Sequence, residues 1–110
     1  MTGGWITHAD HVGWQVQAAR ELAVILGGCG DDLPLLSWTV IPAGPLLEAR
    51  LTGPAPAGQA RAALAAWRKA LGLADYREWP GGGGTTRLHA SGHHGEVRVR
   101  IFASVFEEAR

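Results

Sequence analysis

From Val97 onward the side chains alternate: Val97, Val99, Ile101, Ala103 and Val105 on one flank, Glu96, Arg98, Arg100, Phe102, Ser104 and Phe106 on the other. A period of two sustained over this length belongs to a strand buried on one face only. The chain must therefore build a sheet whose valine side is covered. The same alternation sends arginine and phenylalanine to the opposite side.

A second alternating run precedes it, Thr86, Leu88 and Ala90 against Thr85, Arg87, His89 and Ser91. Gly92-His93-His94-Gly95 has the composition of a hairpin turn. With those four residues as the turn, His89 lies opposite Arg98 and Arg87 opposite Arg100. Like charges set directly across a ladder are destabilising, so solvent, Glu48 and Glu96, or an acidic partner must offset them. Upstream, Leu36, Trp38 and Val40 alternate with Ser37, Thr39 and Ile41. After the turn Pro42-Ala43-Gly44-Pro45, Leu47, Ala49 and Leu51 alternate with Leu46, Glu48, Arg50 and Thr52. A four-residue turn there pairs Val40 with Leu47, Trp38 with Ala49 and Leu36 with Leu51, each inward residue meeting another.

Helical periods separate these ribbons. Thr7-His8-Ala9-Asp10 is a helix start of the S/T-x-x-acid type. A helix from about His8 to Leu26 sets Val12, Val16, Ala19, Ala23 and Leu26 on one stripe, widened by Leu22 and Ile25, and that stripe is expected to face the sheet. Gly27-Gly28 and Gly30-Asp31-Asp32 are expected to end it, glycine adopting the left-handed C-terminal conformation without steric cost. Gly53-Pro54-Ala55-Pro56-Ala57-Gly58 breaks the β pattern. From Gln59 a second helix carries Ala60, Leu64, Trp67 and Leu71 to Gly72. Leu73 to Trp79 offers a short edge strand, and Pro80 with Gly81 to Gly84 a flexible loop. The order α-β-β-α-β-β predicts an α+β two-layer sandwich, with two helices on one face of a mostly antiparallel four- or five-stranded sheet. Trp38, Trp67, Leu64, Val99 and Ile101 are its expected core.

At 110 residues the whole chain, 1–110, is expected to be a single domain able to bury one modest core. No apolar run approaches the roughly 20 residues that span a bilayer. Met1-Thr2-Gly3-Gly4-Trp5 lacks the charged-then-apolar order of a signal peptide, and the one cysteine, Cys29, forms no internal bridge. These features point to the cytoplasm, with no membrane partner. Ten basic and ten acidic side chains cancel, which removes any whole-molecule pull toward nucleic acid but leaves local patches open.

No catalytic residue and no cofactor are predicted. Cys29 falls near a helix C-terminus beside Asp31 and Asp32, which oppose a thiolate. Gly81 to Gly84 with Thr85-Thr86 lacks the lysine and the following helix that a phosphate loop requires. His8 with His11, and His89 with His93 and His94, are a weak zinc or nickel pattern without a supporting carboxylate spacing, and no metal is assigned.

The outer sheet face remains. Arg87, His89, Arg98, Arg100, Phe102 and Phe106 mix basic and aromatic groups there, a composition suited to an interface. The expected role is a non-catalytic protein-interaction module, a homodimer through this face or an exposed edge strand. The alternative is a polyanion or nucleic-acid-binding accessory protein using the same arginines. No aromatic pair of the kind that stacks on bases is evident in the strand pattern. Leu35-Leu36-Ser37-Trp38-Thr39-Val40 with Pro42-Ala43-Gly44, and Ala66-Trp67-Arg68-Lys69-Ala70-Leu71, resemble small uncharacterised proteins of high-GC actinobacteria. The resemblance implies a bacterial cytoplasmic protein and carries over no activity.

Overall fold

Thr7 and Asp10 cap the first helix reciprocally: the Asp10 amide donates to the Thr7 hydroxyl at 3.1 Å and the Thr7 amide to the Asp10 carboxylate at 2.9 Å. In a computed structural model that describes residues 5–29, 33–51 and 56–106, this helix, α1, spans His8–Gly28. The chain continues through β1 (Leu36–Ile41), β2 (Leu46–Leu51), α2 (Ala57–Leu71), β3 (Asp75–Pro80), β4 (Thr85–His94) and β5 (Val97–Phe106). The strands form one sheet in the order β1-β2-β5-β4-β3. Three of its four pairings are antiparallel, whereas β2 and β5 run parallel, so the sheet is mixed but mostly antiparallel.

Both helices lie on the valine side. Ala18 and Ile25 of α1, and Ala60, Leu64, Trp67 and Leu71 of α2, share one core with Leu36, Leu47, Ala49, Leu88, Ala90, Val97, Val99 and Ile101. Each fully buried aliphatic side chain in such a core contributes about 1.5–3 kcal/mol. Of the expected core residues, Trp67, Leu64, Val99 and Ile101 are buried. Trp38 is half-buried, its ring edge-on to Trp67 at 5.7 Å, and Trp67 donates its indole N–H to the Pro34 carbonyl at 2.8 Å.

The β1–β2 register is the expected one, Val40 with Leu47, Trp38 with Ala49, Leu36 with Leu51. The β4–β5 register differs. His93 and His94 stay in the ladder, paired with Arg98 and Val97, and the turn is only Gly95-Glu96. Gly95 has φ +62° and Glu96 does not have a positive φ, the arrangement of a two-residue hairpin turn with glycine first. His89 consequently faces Phe102, and Arg87 faces Ser104 instead of Arg100. The offset from the expected pairing is even, so every side chain keeps its face.

α1 also departs from expectation. The stripe Val12, Val16, Ala19, Ala23 and Leu26 points away from the sheet, with Val12 42%, Val16 43% and Leu26 49% exposed. The inward side is Trp14, Ala18, Leu22 and Ile25, completed by polar ties. His11 donates from Nδ1 to the Pro42 carbonyl at 2.6 Å, and His94 of β4 hydrogen-bonds through Nδ1 to the Glu21 carboxylate. α1 carries a second apolar side beside the expected stripe, and that side, with these ties, is the one docked on the sheet. Its end differs too: the helix includes Gly27 and Gly28 and stops at Cys29 in extended backbone, whereas α2 closes on Gly72 at φ +67° as expected. Gly30-Asp31-Asp32, Gly53 to Ala55 and the C-terminal tail lie outside the described residues.

β3 is the expected edge strand, moved to Asp75–Pro80. It is clamped to α2 by Arg61, whose Nε and Nη2 each donate to the Glu78 carboxylate at 3.0 Å while the Tyr76 hydroxyl donates to it at 2.6 Å. Arg61 first, and Tyr76 next, hold the Glu78 carboxyl below its usual range. Burial and then Glu78 push the Tyr76 phenol up to about 12.

The His94–Glu21 tie generates a prediction. His94→Ala should cost about 1 kcal/mol and speed amide exchange in the C-terminal half of α1 more than in α2. Equal exchange in both proteins would show that α1 is docked without the His94–Glu21 tie.

Candidate functional site: the outer sheet face

Cross-strand pairing arranges the uncovered face in rows. His93, Arg98, Leu46 and Ile41 form one; Ser91, Arg100, Glu48 and Thr39 the next, with Asp75 beside Ser91. Arg77, His89, Phe102, Arg50 and Ser37 form a third, and Trp79, Arg87 and Ser104 a fourth. Phe106 ends the face, 72% exposed. All six side chains expected at an interface thus lie on the face away from the helices, although not with the partners expected.

Charge is segregated here. Arg50, Arg77, Arg87, Arg98 and Arg100 are five of the chain's ten basic residues, against Glu48, Asp75 and, at the β4–β5 turn, Glu96 among the acidic side chains of the described residues. Arg100 pairs with Glu48 at 3.5 Å. Arg77, Arg87 and Arg98 have no carboxylate partner among the described residues. Glu48 is thus one of the offsets expected, whereas Glu96 makes no ion pair there.

The third row holds an aromatic ladder that strand alternation did not reveal. His89 and Phe102 stack with centroids 4.6 Å apart and planes 14° from parallel. The Arg50 guanidinium lies 5.4 Å from the Phe102 centroid, and Trp79 meets His89 edge-on at 6.0 Å. The correct register is what creates the stack, since only the two-residue turn sets His89 opposite Phe102. The two rings largely occupy each other's faces, leaving Trp79 and Phe106 as the exposed aromatics of the face.

His89 is electrostatically cornered. Burial first, then the guanidiniums of Arg100, Arg77 and Arg98, lower its pKa below the usual 6.5, opposed by Glu48. Its Nε2 and the Arg100 Nε are buried without a hydrogen-bond partner in the protein.

Arg98 stands between two depressions. One, of about 450 Å³, is lined by Asp75, Arg77, Trp79, His89, Ser91 and Arg98. The other, of about 310 Å³, runs from the β1–β2 turn to His93, Glu96 and Arg100. Asp75, Arg77 and Trp79 were missed as site residues because they come from the edge strand and join the face only through pairing with β4.

The remaining histidines are dispersed. His11 and His94 tie α1, and His8 and His93 are exposed. Among the described residues no three His, Cys, Asp or Glu side chains converge on a metal-sized site. The Cys29 thiol donates to the Leu26 carbonyl at 3.4 Å. Among the described residues no helix is long and apolar enough to cross a membrane. Comparison with protein-family models, with curated proteins and with solved structures returned no match.

The lowered His89 pKa gives a pH prediction. Below 6.5 the unfolded chain takes up a proton that folded His89 resists, so this group reduces stability as pH falls from 6.5 toward its folded value and contributes nothing above. His89→Phe keeps a ring beside Phe102 and removes the titration. Urea melts between pH 7.5 and 5 should show a shallower acid-side loss than wild type, and parallel curves would refute the assignment.

Proposed function

We propose that this chain is a non-catalytic polyanion-binding protein of the bacterial cytoplasm, with the outer sheet face as its binding surface and a single-stranded nucleic acid backbone as its ligand. The observation that carries this is the gathering of half the basic side chains on one uncovered face of a chain with no net charge. Arg77, Arg98 and Arg87 hold no carboxylate among the described residues, so they bind phosphate without first breaking an ion pair. The two depressions on either side of Arg98 provide a track across β3, β4 and β5 toward the β1–β2 turn. Because His89 and Phe102 stack on each other, contacts to phosphate dominate over stacking on bases, and recognition is sequence-tolerant.

Three phosphate contacts on a single strand, by Arg77, Arg87 and Arg98, correspond to a slope of about −2 in log K against log salt. Salt-dependent retention on heparin and on oligonucleotides is therefore expected. Arg87→Ala with Arg98→Ala should reduce the slope by about 1.4 and elute earlier. Salt-independent binding, or no retention of the wild type, would overturn the proposal.

Self-association is a second reading, favoured by a different surface. A two-fold axis through the outer face would set arginines against arginines, since such an interface joins a patch to itself. The solvent side of α1 carries no such conflict. Val12, Val16, Ala19, Ala23 and Leu26 recur at spacings of four and three, the seam by which two helices pack at about 20°. An antiparallel pair centred near Ala19 sets Val12 against Leu26 and Val16 against Ala23, with small residues where the axes approach. It also brings each helix N-terminus to its partner's C-terminus, whose last turn has no basic residue. Val16→Asp should then give a folded monomer by light scattering, with far-UV circular dichroism unchanged and a melting temperature that no longer rises with protein concentration. A wild-type mass equal to one chain would exclude this pairing.

A further inference from the structure

The depression of about 450 Å³ on the β3 side has the makings of a discrete site within the cationic face. Its size falls within the roughly 300–1,000 Å³ of small-molecule sites. β4 contributes His89 and the small, buried Ser91 in the middle, so the surface dips between taller groups on the flanking strands. Arg77 of β3 and Arg98 of β5 stand on opposite sides of β4, and neither has a carboxylate partner among the described residues. Two free guanidiniums facing one small cavity suit an anion with several acceptor oxygens, and each can bind two of them.

Two further groups narrow the ligand. Trp79 lines the same cavity and is 39% exposed, with its ring meeting His89 edge-on and not stacked face to face on it. That leaves an indole face available to a planar ring. Asp75, also in the lining, makes no ion pair with either arginine. It is an acceptor for a hydroxyl or amino group, and it excludes a second anionic group from its end of the cavity.

We infer that this cleft takes a phosphate monoester carried on a planar ring, either a free nucleoside monophosphate or the phosphorylated end of a strand. Arg77 and Arg98 hold the phosphate, Trp79 stacks on the ring, and Asp75 accepts from a hydroxyl or amine. The inference rests on the anionic-ligand reading of the outer face but adds a site that a long polyanion does not require.

Calorimetric titration of the full chain with adenosine 5′-monophosphate, inorganic phosphate and adenosine tests it, with heparin elution run beside each variant. The wild type should bind the nucleotide more tightly than either fragment. Arg77→Ala should weaken both nucleotide and phosphate by about tenfold or more. Trp79→Ala should bring nucleotide affinity down to that of phosphate while leaving heparin elution unchanged. Trp79→Leu, which keeps apolar bulk on the edge strand, should do the same, so that a folding defect in one variant does not decide the outcome. A 5′-phosphorylated oligonucleotide that competes better than its 5′-hydroxyl counterpart assigns the cleft to strand ends; equal competition assigns it to the free nucleotide. Normal heparin retention without nucleotide binding would overturn the cleft alone, whereas loss of both would overturn the binding face as well. Nucleotide affinity unmoved by either Trp79 variant would overturn the stacking role.

Discussion

Val97, Val99 and Ile101 are enclosed beneath the helical layer on a strand flanked on both sides, and that enclosure decides where the charges of the sheet go. Once those three face inward, Arg98, Arg100 and Phe102 must face outward. A slip of β5 by one residue would carry two guanidiniums into the core, at several kilocalories per mole each even after relaxation. A slip by an even number costs no such inversion. The facing of the strand is therefore set by burial, whereas its pairing with β4 is left to the turn.

That division explains what was legible in the residues. The facing of all four strands in the two ribbons was readable, and so was the β1–β2 register, because Pro42 to Pro45 admits one turn length. The β4–β5 register was not, since Gly92 to Gly95 offers two glycines and only tertiary pairing shows that Gly95 supplies the positive φ. α2 was readable because a single stripe is apolar. α1 was misread because two stripes are apolar; His11 and Glu21, polar residues that would be out of place on a buried face without partners, were the available signal. The parallel pairing of β2 with β5 leaves no local trace at all.

The candidate site shows the same split. Arginine and phenylalanine on one flank of β5 are a property of alternation and were foreseen. The His89–Phe102 stack and the cleft beside it depend on which residues stand across from each other, on β3 as well as β4. Register thus converts a generally basic surface into one with a mutually stacked His89–Phe102 pair and a distinct cavity beside it. Arg100, held by Glu48, contributes less free charge than Arg77, Arg87 or Arg98, so the unpaired guanidiniums are shared among β3, β4 and β5.

The parallel contact between β2 and β5 has a kinetic meaning. Leu47 meets Val99 only after half the chain has been looped out, while β1–β2, β3–β4 and β4–β5 join neighbours through short turns. Closing the longest loop carries the largest entropic cost of the four pairings. The three hairpin pairings therefore close at low entropic cost, and the β2–β5 seam is the pairing that must bring the two halves of the molecule together across the longest loop.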